Sequence, residues 1–195
     1  MPAAARPPGA GRGVVHIVGG TWKRSKLVVA DRPGLRPTPA RVRETLFNWL
    51  GANLSGWRCL DAFAGTGALG FEAASRGAAE VLLLERERAL VALLMQARVR
   101  LHAQQVRVEQ ADAFEWMARC PAARFELVLL DPPFDAQAFD AALAAARRIV
   151  VPGGFVYLEA DRSVDAQAAA ALGLVLHRQG RAGAVHFHLL RDSRG

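Results

Sequence analysis

Apolar positions change their spacing along the chain, and the changes mark out the elements. Val14-Val15-His16-Ile17-Val18 is a short β-prone run, Gly19-Gly20 is a turn signal, and Lys26-Leu27-Val28-Val29 reads as the return strand of a hairpin. A Pro/Gly-rich connector follows from Asp31 to Pro37, after which Thr38 predicts an N-cap with Pro39 at the first helical position. The helix runs to about Leu50, with Val42, Leu46, Trp49 and Leu50 on one apolar face and Arg41 and Glu44 off it. From Arg58 onward, short apolar runs alternate with helical spacing. Strands are predicted over 59–63, 80–85, 105–109, 125–130 and 155–159, the last entered through the turn Pro152-Gly153-Gly154. Helices are predicted over 68–76, 87–101, 112–120, 135–149 and 164–171. Two final strands, 172–178 and 184–191, have few residues between them and should pair as a hairpin. This alternation predicts an α/β fold whose sheet is seven-stranded, mostly parallel and covered on both faces, with a C-terminal antiparallel hairpin and a small N-terminal hairpin and helix added on.

Composition sharpens the picture at the N-terminus. The 195 residues are 52% hydrophobic, enough for one domain with a substantial core and a small appendage, and too apolar for a disordered chain. No apolar run approaches the ~20 residues a membrane helix needs. Residues 1–12 are rich in Ala, Pro, Gly and Arg without an apolar stretch, which reads as a frayed tail rather than a secretory signal. Cys59 and Cys120 lack metal-ligand spacing and are expected reduced and buried or half-buried in a cytoplasmic protein. Net charge is +7, and its location is one-sided: residues 1–43 hold nine Lys/Arg against the single acid Asp31, whereas the remaining 152 residues hold 16 basic and 17 acidic side chains. A solvated face mixes signs, so this segment reads as the footprint of a polyanion partner, with Trp22, Lys23, Arg24, Lys26, Arg36, Arg41 and Arg43 as candidate contacts. Residues 13–54 are therefore taken as a basic extension and 55–195 as the domain that carries chemistry. Nothing in the sequence suggests an obligate interface, and a monomer is expected.

Two motifs carry that chemistry. Asp131-Pro132-Pro133-Phe134 follows an apolar strand. Its acid and a proline-fixed carbonyl can accept hydrogen bonds from an amino group while the aromatic stacks on a flat ring. Taken alone, the tetrapeptide reads equally well as a strand-ending turn. What bears on the choice lies upstream. Gly65-Thr66-Gly67-Ala68-Leu69-Gly70 satisfies G-x-G-x-x-G between a strand and a helix, and Glu85 ends the next strand, 20 positions after Gly65. A dinucleotide oxidoreductase shares these features. Asp61, four residues before Gly65, separates the two: a carboxylate there repels pyrophosphate but favours the sulfonium and ammonium of S-adenosylmethionine. Asp112 opens the turn after the third strand of this series, where an acid serves either to accept from the adenine amine or simply to cap a helix. His186 and His188 alternate on the last strand and are expected to face the surface or RNA; two ligands are too few for a metal, and none is expected.

Asp61-Ala62-Phe63-Ala64-Gly65-Thr66-Gly67 resembles the first motif of the Rossmann-fold S-adenosylmethionine methyltransferases, and Asp131-Pro132-Pro133-Phe134 resembles their amino-methylating motif, Asp/Asn-Pro-Pro-aromatic. More narrowly, over roughly residues 13–191 the chain resembles the RsmD-type guanine-N2 methyltransferases of bacterial 16S ribosomal RNA. The pieces most particular to that family are Ile17-Val18-Gly19-Gly20, Gly34-Leu35-Arg36-Pro37-Thr38 and the run from Val42 to Leu50. The resemblance implies a Rossmann-like methyltransferase fold, S-adenosylmethionine as cofactor and 16S ribosomal RNA, within small-subunit assembly particles, as partner. It implies that Asp61, Phe63, Ala64, Gly65 and Gly67 line the cofactor, that Glu85 meets its ribose, that Asp112 and Ala113 meet its adenine, and that Arg36 and Thr38 close over its methionine end. Asp131, Pro132, Pro133 and Phe134 are then the catalytic set. A DNA adenine-N6 methyltransferase would use the same tetrapeptide but has no space here for a sequence-reading domain. A non-catalytic RNA-binding module on this fold is the remaining alternative.

Overall fold

The computed structural model describes residues 13–31, 37–132 and 136–194, with the side chains of 136–138 excepted. The expected tail over 1–12, and Arg36, Pro133 and Phe134, lie outside the described residues. β1 (Gly13–His16) and β2 (Lys26–Val29) pair antiparallel with Val14 opposite Val28, and α1 (Ala40–Trp49) follows. The seven-stranded sheet comprises β3 (Arg58–Asp61), β4 (Glu80–Glu85), β5 (Val106–Gln110), β6 (Phe125–Leu130), β7 (Val150–Ala160), β8 (Leu174–Ala182) and β9 (Val185–Asp192). Between them run α2 (Ala68–Ser75), α3 (Arg88–Arg100), α4 (Ala113–Arg119), α5 (Ala136–Ile149) and α6 (Ala166–Ala171). The strand order is β5-β4-β3-β6-β7-β9-β8. The first five strands in that order are parallel, and β9 inserts antiparallel between β7 and β8. No helix among the described residues is long and apolar enough to cross a membrane.

Each face of the sheet has its own core. On one, Leu83, Leu127, Leu129, Tyr157 and Leu189 pack with Phe71 of α2 and Leu94 of α3. On the other, Leu60, Leu82, Val128, Leu158 and Leu190 pack with Met117 of α4, Leu143 of α5 and Ala169 of α6. The N-terminal extension has no core of its own: Ile17, Leu27, Val42, Leu46 and Phe47 belong to the first cluster, and Trp49 stacks on Phe187 with ring centroids 5.4 Å apart. The tip of the hairpin is held down by Ser75 at the end of α2. Its carbonyl accepts from the Thr21 amide (2.7 Å), and its hydroxyl accepts from the Trp22 amide and donates to the Gly19 carbonyl. Gly20 has φ +73° and lies so close that a Cβ would fall 1.9 Å from the Ser75 carbonyl oxygen, so the Gly-Gly signal marks a docking point as well as a turn.

Several expectations are corrected. Thr38 does not cap α1; Pro39 stands at the N-cap and the Thr38 hydroxyl is committed elsewhere. Pro152-Gly153-Gly154 is not a turn that precedes the strand. It lies inside β7 opposite the register shift between Phe125 and Leu127, where a Cβ on Gly154 would meet the Glu126 carbonyl at 3.0 Å, so the prolyl-glycyl run forms a bulge. His188 is not a surface residue: it is fully buried, with Nε2 accepting from the Val164 amide at 3.1 Å and Nδ1 facing the Leu158 carbonyl at 3.4 Å. Burial first, and His186 beside it, lower its pKa. Arg43, expected among the RNA contacts, has no exposed surface at all. Its guanidinium donates to the Thr38 carbonyl (3.1 Å), the His16 carbonyl (2.9 Å) and the Glu72 carboxylate (3.2 Å). Glu72, on α2, also accepts from the Val18 amide and from Arg76. This buried hub clamps the hairpin and α1 onto the helix that begins at the glycine loop.

Candidate active site

The strand order reverses between β3 and β6, and in open α/β sheets the crevice at such a reversal receives the ligand. Asp61 ends β3, Glu85 ends β4, Asp131 directly follows β6 and Glu159 is the penultimate residue of β7. Asp61 sits opposite Leu129, and Leu129 opposite Tyr157. Side chains alternate along a strand, so Asp61, Asp131 and Glu159 project from the same face, at the carboxyl ends of three adjacent strands. That brings the two sequence motifs together and adds a third acid. Glu159 was not singled out from the sequence. It is 4% exposed, and its Oε1 accepts from the hydroxyls of Thr38 (2.6 Å) and Tyr157 (3.0 Å).

The electrostatics of this cluster are unusual. Among the described residues no Lys or Arg pairs with any of the three acids. Burial, with Glu85 and Glu159 nearby, lifts the Asp61 carboxyl to about 7 against the pull of the Gly70 amide, which donates to it at 2.9 Å. Burial, then Glu159 and Asp61, hold the Asp131 carboxyl well above the usual carboxylate range. Burial also raises Glu159, though its two hydroxyl donors oppose the shift. Crowded carboxyls with no cation beside them among the described residues suit a cationic ligand, whose charge would favour their ionised forms. The glycines seat the loop tightly on the core: Gly67 has φ +75° and a Cβ there would meet Leu94 at 2.6 Å, while a Cβ on Gly70 would collide with Leu83 at 2.1 Å and crowd the Asp61 carboxylate at 3.1 Å.

Apart from Thr38, the other described residues predicted for the cofactor lie at or just beyond the carboxyl ends of β3, β4 and β5. Glu85 braces the loop, its Oε2 accepting from the Gly65 amide (3.0 Å) and its Oε1 from the Glu87 amide (2.9 Å). Asp112 is the N-cap of α4, with Oδ1 accepting from the Phe114 and Glu115 amides, so the structure displays the capping role. Ala64 and Ala113 are buried, and Phe63 is half-buried edge-on against Phe114 with centroids 5.5 Å apart. Phe114 was also missed; nothing in its local spacing distinguishes it from a core residue. Of the expected RNA contacts, Lys23, Arg24, Lys26 and Arg41 are exposed, whereas Trp22 is packed against the core. Among the described residues no cluster of His, Cys, Asp or Glu is arranged to hold a metal ion.

Comparison with known proteins converges on one group. The model of the family described as "Conserved hypothetical protein 95" matches residues 15–191. Ribosomal RNA small subunit methyltransferase D of Escherichia coli is 38% identical over 97% of this chain and 96% of its own length. The protein of the same name from Haemophilus influenzae is 35% identical over 77% of this chain and 81% of its own. The chain belongs to this RsmD family of methyltransferases. A solved Escherichia coli methyltransferase structure superposes with a TM-score of 0.81 at 34% identity, covering 94% of this chain and 100% of that one, so the Rossmann-like methyltransferase fold expected from the sequence holds. S-adenosylmethionine is accordingly the methyl donor of this RsmD-family enzyme, and the oxidoreductase and DNA-adenine alternatives find no support.

A proton linkage follows from the acid cluster. A carboxyl whose folded pKa of about 7 lies above its unfolded value keeps a proton that the unfolded chain gives up, so the free protein should lose stability as pH rises from about 4 through 7. A bound cation reverses the shift. Binding of S-adenosylmethionine near pH 7 should therefore release protons, seen in calorimetry as an enthalpy that varies with the ionisation heat of the buffer. S-adenosylhomocysteine, which lacks the sulfonium, should release fewer. Equal, buffer-independent heats for the two would contradict the electrostatic assignment.

Proposed function

We propose that this enzyme transfers the methyl group of S-adenosylmethionine to the exocyclic N2 amine of a guanine in 16S ribosomal RNA, acting as a cytoplasmic monomer on assembling small-subunit particles. The observation that carries this reading is the placement of Asp131 and Pro132 beside Asp61 at the strand-order reversal, next to the glycine loop. When bound, the cofactor supplies an activated methyl group on a positively charged sulfur. The chain's task is to present the amine. Guanine N2 is a weak nucleophile because its lone pair is delocalised into the ring. Hydrogen bonds from that amine to the Asp131 carboxylate and the Pro132 carbonyl favour a pyramidal nitrogen and stabilise the positive charge that develops on it. Phe134 stacks on the base once it is turned out of its helix. Much of the acceleration comes from holding the amine in line with the methyl group. Asp131, whose surroundings raise its proton affinity, is placed to take the proton that the methylated amine loses.

The exposed cations of the hairpin, Lys23, Arg24 and Lys26, with Arg41 on α1, supply the RNA-facing charge in this reading. Changing Lys23, Arg24 and Lys26 together to Gln should weaken RNA binding and reduce the slope of log affinity against log salt by about 2. A filter-binding titration with an unchanged slope would remove the hairpin from the interface. For the reaction itself, the protein is incubated with tritiated S-adenosylmethionine and small-subunit RNA from cells lacking the enzyme, both free and as assembled particles. Labelled N2-methylguanosine is the expected product; N6-methyladenosine, or no label in either substrate, overturns the proposal.

A further inference from the structure

The Asp-Pro-Pro-aromatic motif grips an amine on a flat ring but does not distinguish guanine from adenine. The difference lies one atom further along the base edge. Guanine places its N2 amine beside N1–H, a second donor; adenine places its N6 amine beside N1, an acceptor. A site for guanine therefore gains from a second acceptor next to the first, and that second acceptor turns adenine away. We propose that Glu159 is the base-selecting residue of this enzyme, its carboxylate accepting the N1–H of the target guanine while Asp131 and the Pro132 carbonyl hold the N2 amine. The proposal rests on the guanine-N2 reading above and deepens it.

Four observations point this way. Leu130 pairs with Leu158 across parallel strands, which makes Asp131 and Glu159 the next residues on neighbouring strand ends, with both side chains on the Leu129/Tyr157 face. The strand order runs β3-β6-β7, so Glu159 lies on the side of Asp131 away from Asp61 and the glycine loop, the side that this reading gives to the acceptor base. The carboxylate is oriented: the Thr38 and Tyr157 hydroxyls both donate to Oε1, and neither bond involves Oε2. Finally, Glu159 is only 4% exposed, so little water competes for its carboxylate. Thr38 comes from the segment leading out of the basic hairpin, so the element proposed to face RNA also sets the angle of the residue that reads the base.

The test uses 2-aminopurine, which keeps the exocyclic 2-amine but presents N1 as an acceptor. The guanosine that wild-type enzyme labels is replaced by 2-aminopurine in 16S RNA made by splint ligation and reconstituted with small-subunit proteins. Methyl transfer to the two substrates is then compared for wild-type enzyme and for Glu159→Gln, whose amide can donate to N1. Wild type should prefer guanine by roughly 10–10²-fold, and Glu159→Gln should bring the ratio to near unity or invert it. The missing O6 of 2-aminopurine affects both enzymes alike and cancels. Equal losses on both substrates, with the ratio unchanged, would make Glu159 a structural residue and overturn the inference. Wild-type enzyme that labels no guanosine overturns the functional reading and this inference with it. Titration with S-adenosylhomocysteine confirms that the variant is folded. Should it not fold, Tyr157→Phe removes one of the two donors that orient the carboxylate, and the ratio must then shrink; an unchanged ratio overturns the inference equally.

Discussion

Asp131→Ala is expected to slow methyl transfer by about 10³-fold while leaving affinity for S-adenosylhomocysteine within a few-fold. Alanine removes both the acceptor that polarises the amine and the group that takes its proton, but it leaves the glycine loop, Asp61 and Glu85 in place. The substitution should not harm the fold. Asp131 is crowded by Glu159 and Asp61, so deleting one carboxylate relieves repulsion among those that remain. The informative outcome is the combination: a single-turnover rate in tritiated S-adenosylmethionine that collapses, beside a melting temperature that is unchanged or higher at pH 8. Loss of activity together with loss of folding would mean that Asp131 is a structural turn residue, and a rate within tenfold of wild type would remove it from the chemistry.

Arg43→Met is expected to have the largest effect on stability, about 3 kcal/mol in urea-induced unfolding. Methionine fills most of the volume but supplies none of the donors, so the Thr38 and His16 carbonyls lose a buried partner. Glu72 keeps Arg76 and the Val18 amide, which limits the loss. Hydrogen exchange should quicken first over residues 13–29, because the hairpin hangs on this hub and on Ser75. Arg43→Lys should rescue little, since one ammonium cannot reach in the three directions that the planar guanidinium spans. An RNA-binding arginine would behave otherwise, weakening RNA affinity without moving the unfolding curve, and a loss below about 1 kcal/mol would favour that role.

How much of this was legible in the sequence depends on the range of the interaction. Strand 80–85 and strand 125–130 were readable to the residue because each is a run of four apolar residues, 81–84 and 127–130, with polar or turn residues at its ends. Asp61, Glu85 and Asp131 stood out because each acid ends or directly follows a strand at a recognisable distance from glycines or prolines. Arg43 was misread although the clue was present: positions 43, 46, 47 and 50 form one helical stripe, so a cation there had to be buried and paired. His188 was misread because strand alternation presumes one solvent face, whereas β9 lies between two strands and has both faces covered. Thr38 and Glu159 meet across 121 positions of chain, and no local pattern announces such a bond. Long-range polar contacts of this kind are what the tertiary structure contributed.

The stacking of Trp49 on Phe187 has a consequence for how the protein is made. Synthesis runs from the N-terminus, so the basic hairpin and α1 leave the ribosome first, yet the core that receives them includes Phe187 and Leu189 of the last strand. Until that strand is delivered, Trp49 lacks its stacking partner, and the strongly cationic segment is held beside the ribosome's own RNA only by its contacts with α2. Folding should therefore complete late and cooperatively, with the earliest residues among the last to be secured. Chains stalled before residue 185 should show a protease-sensitive N-terminus that becomes resistant only on release of the full-length protein.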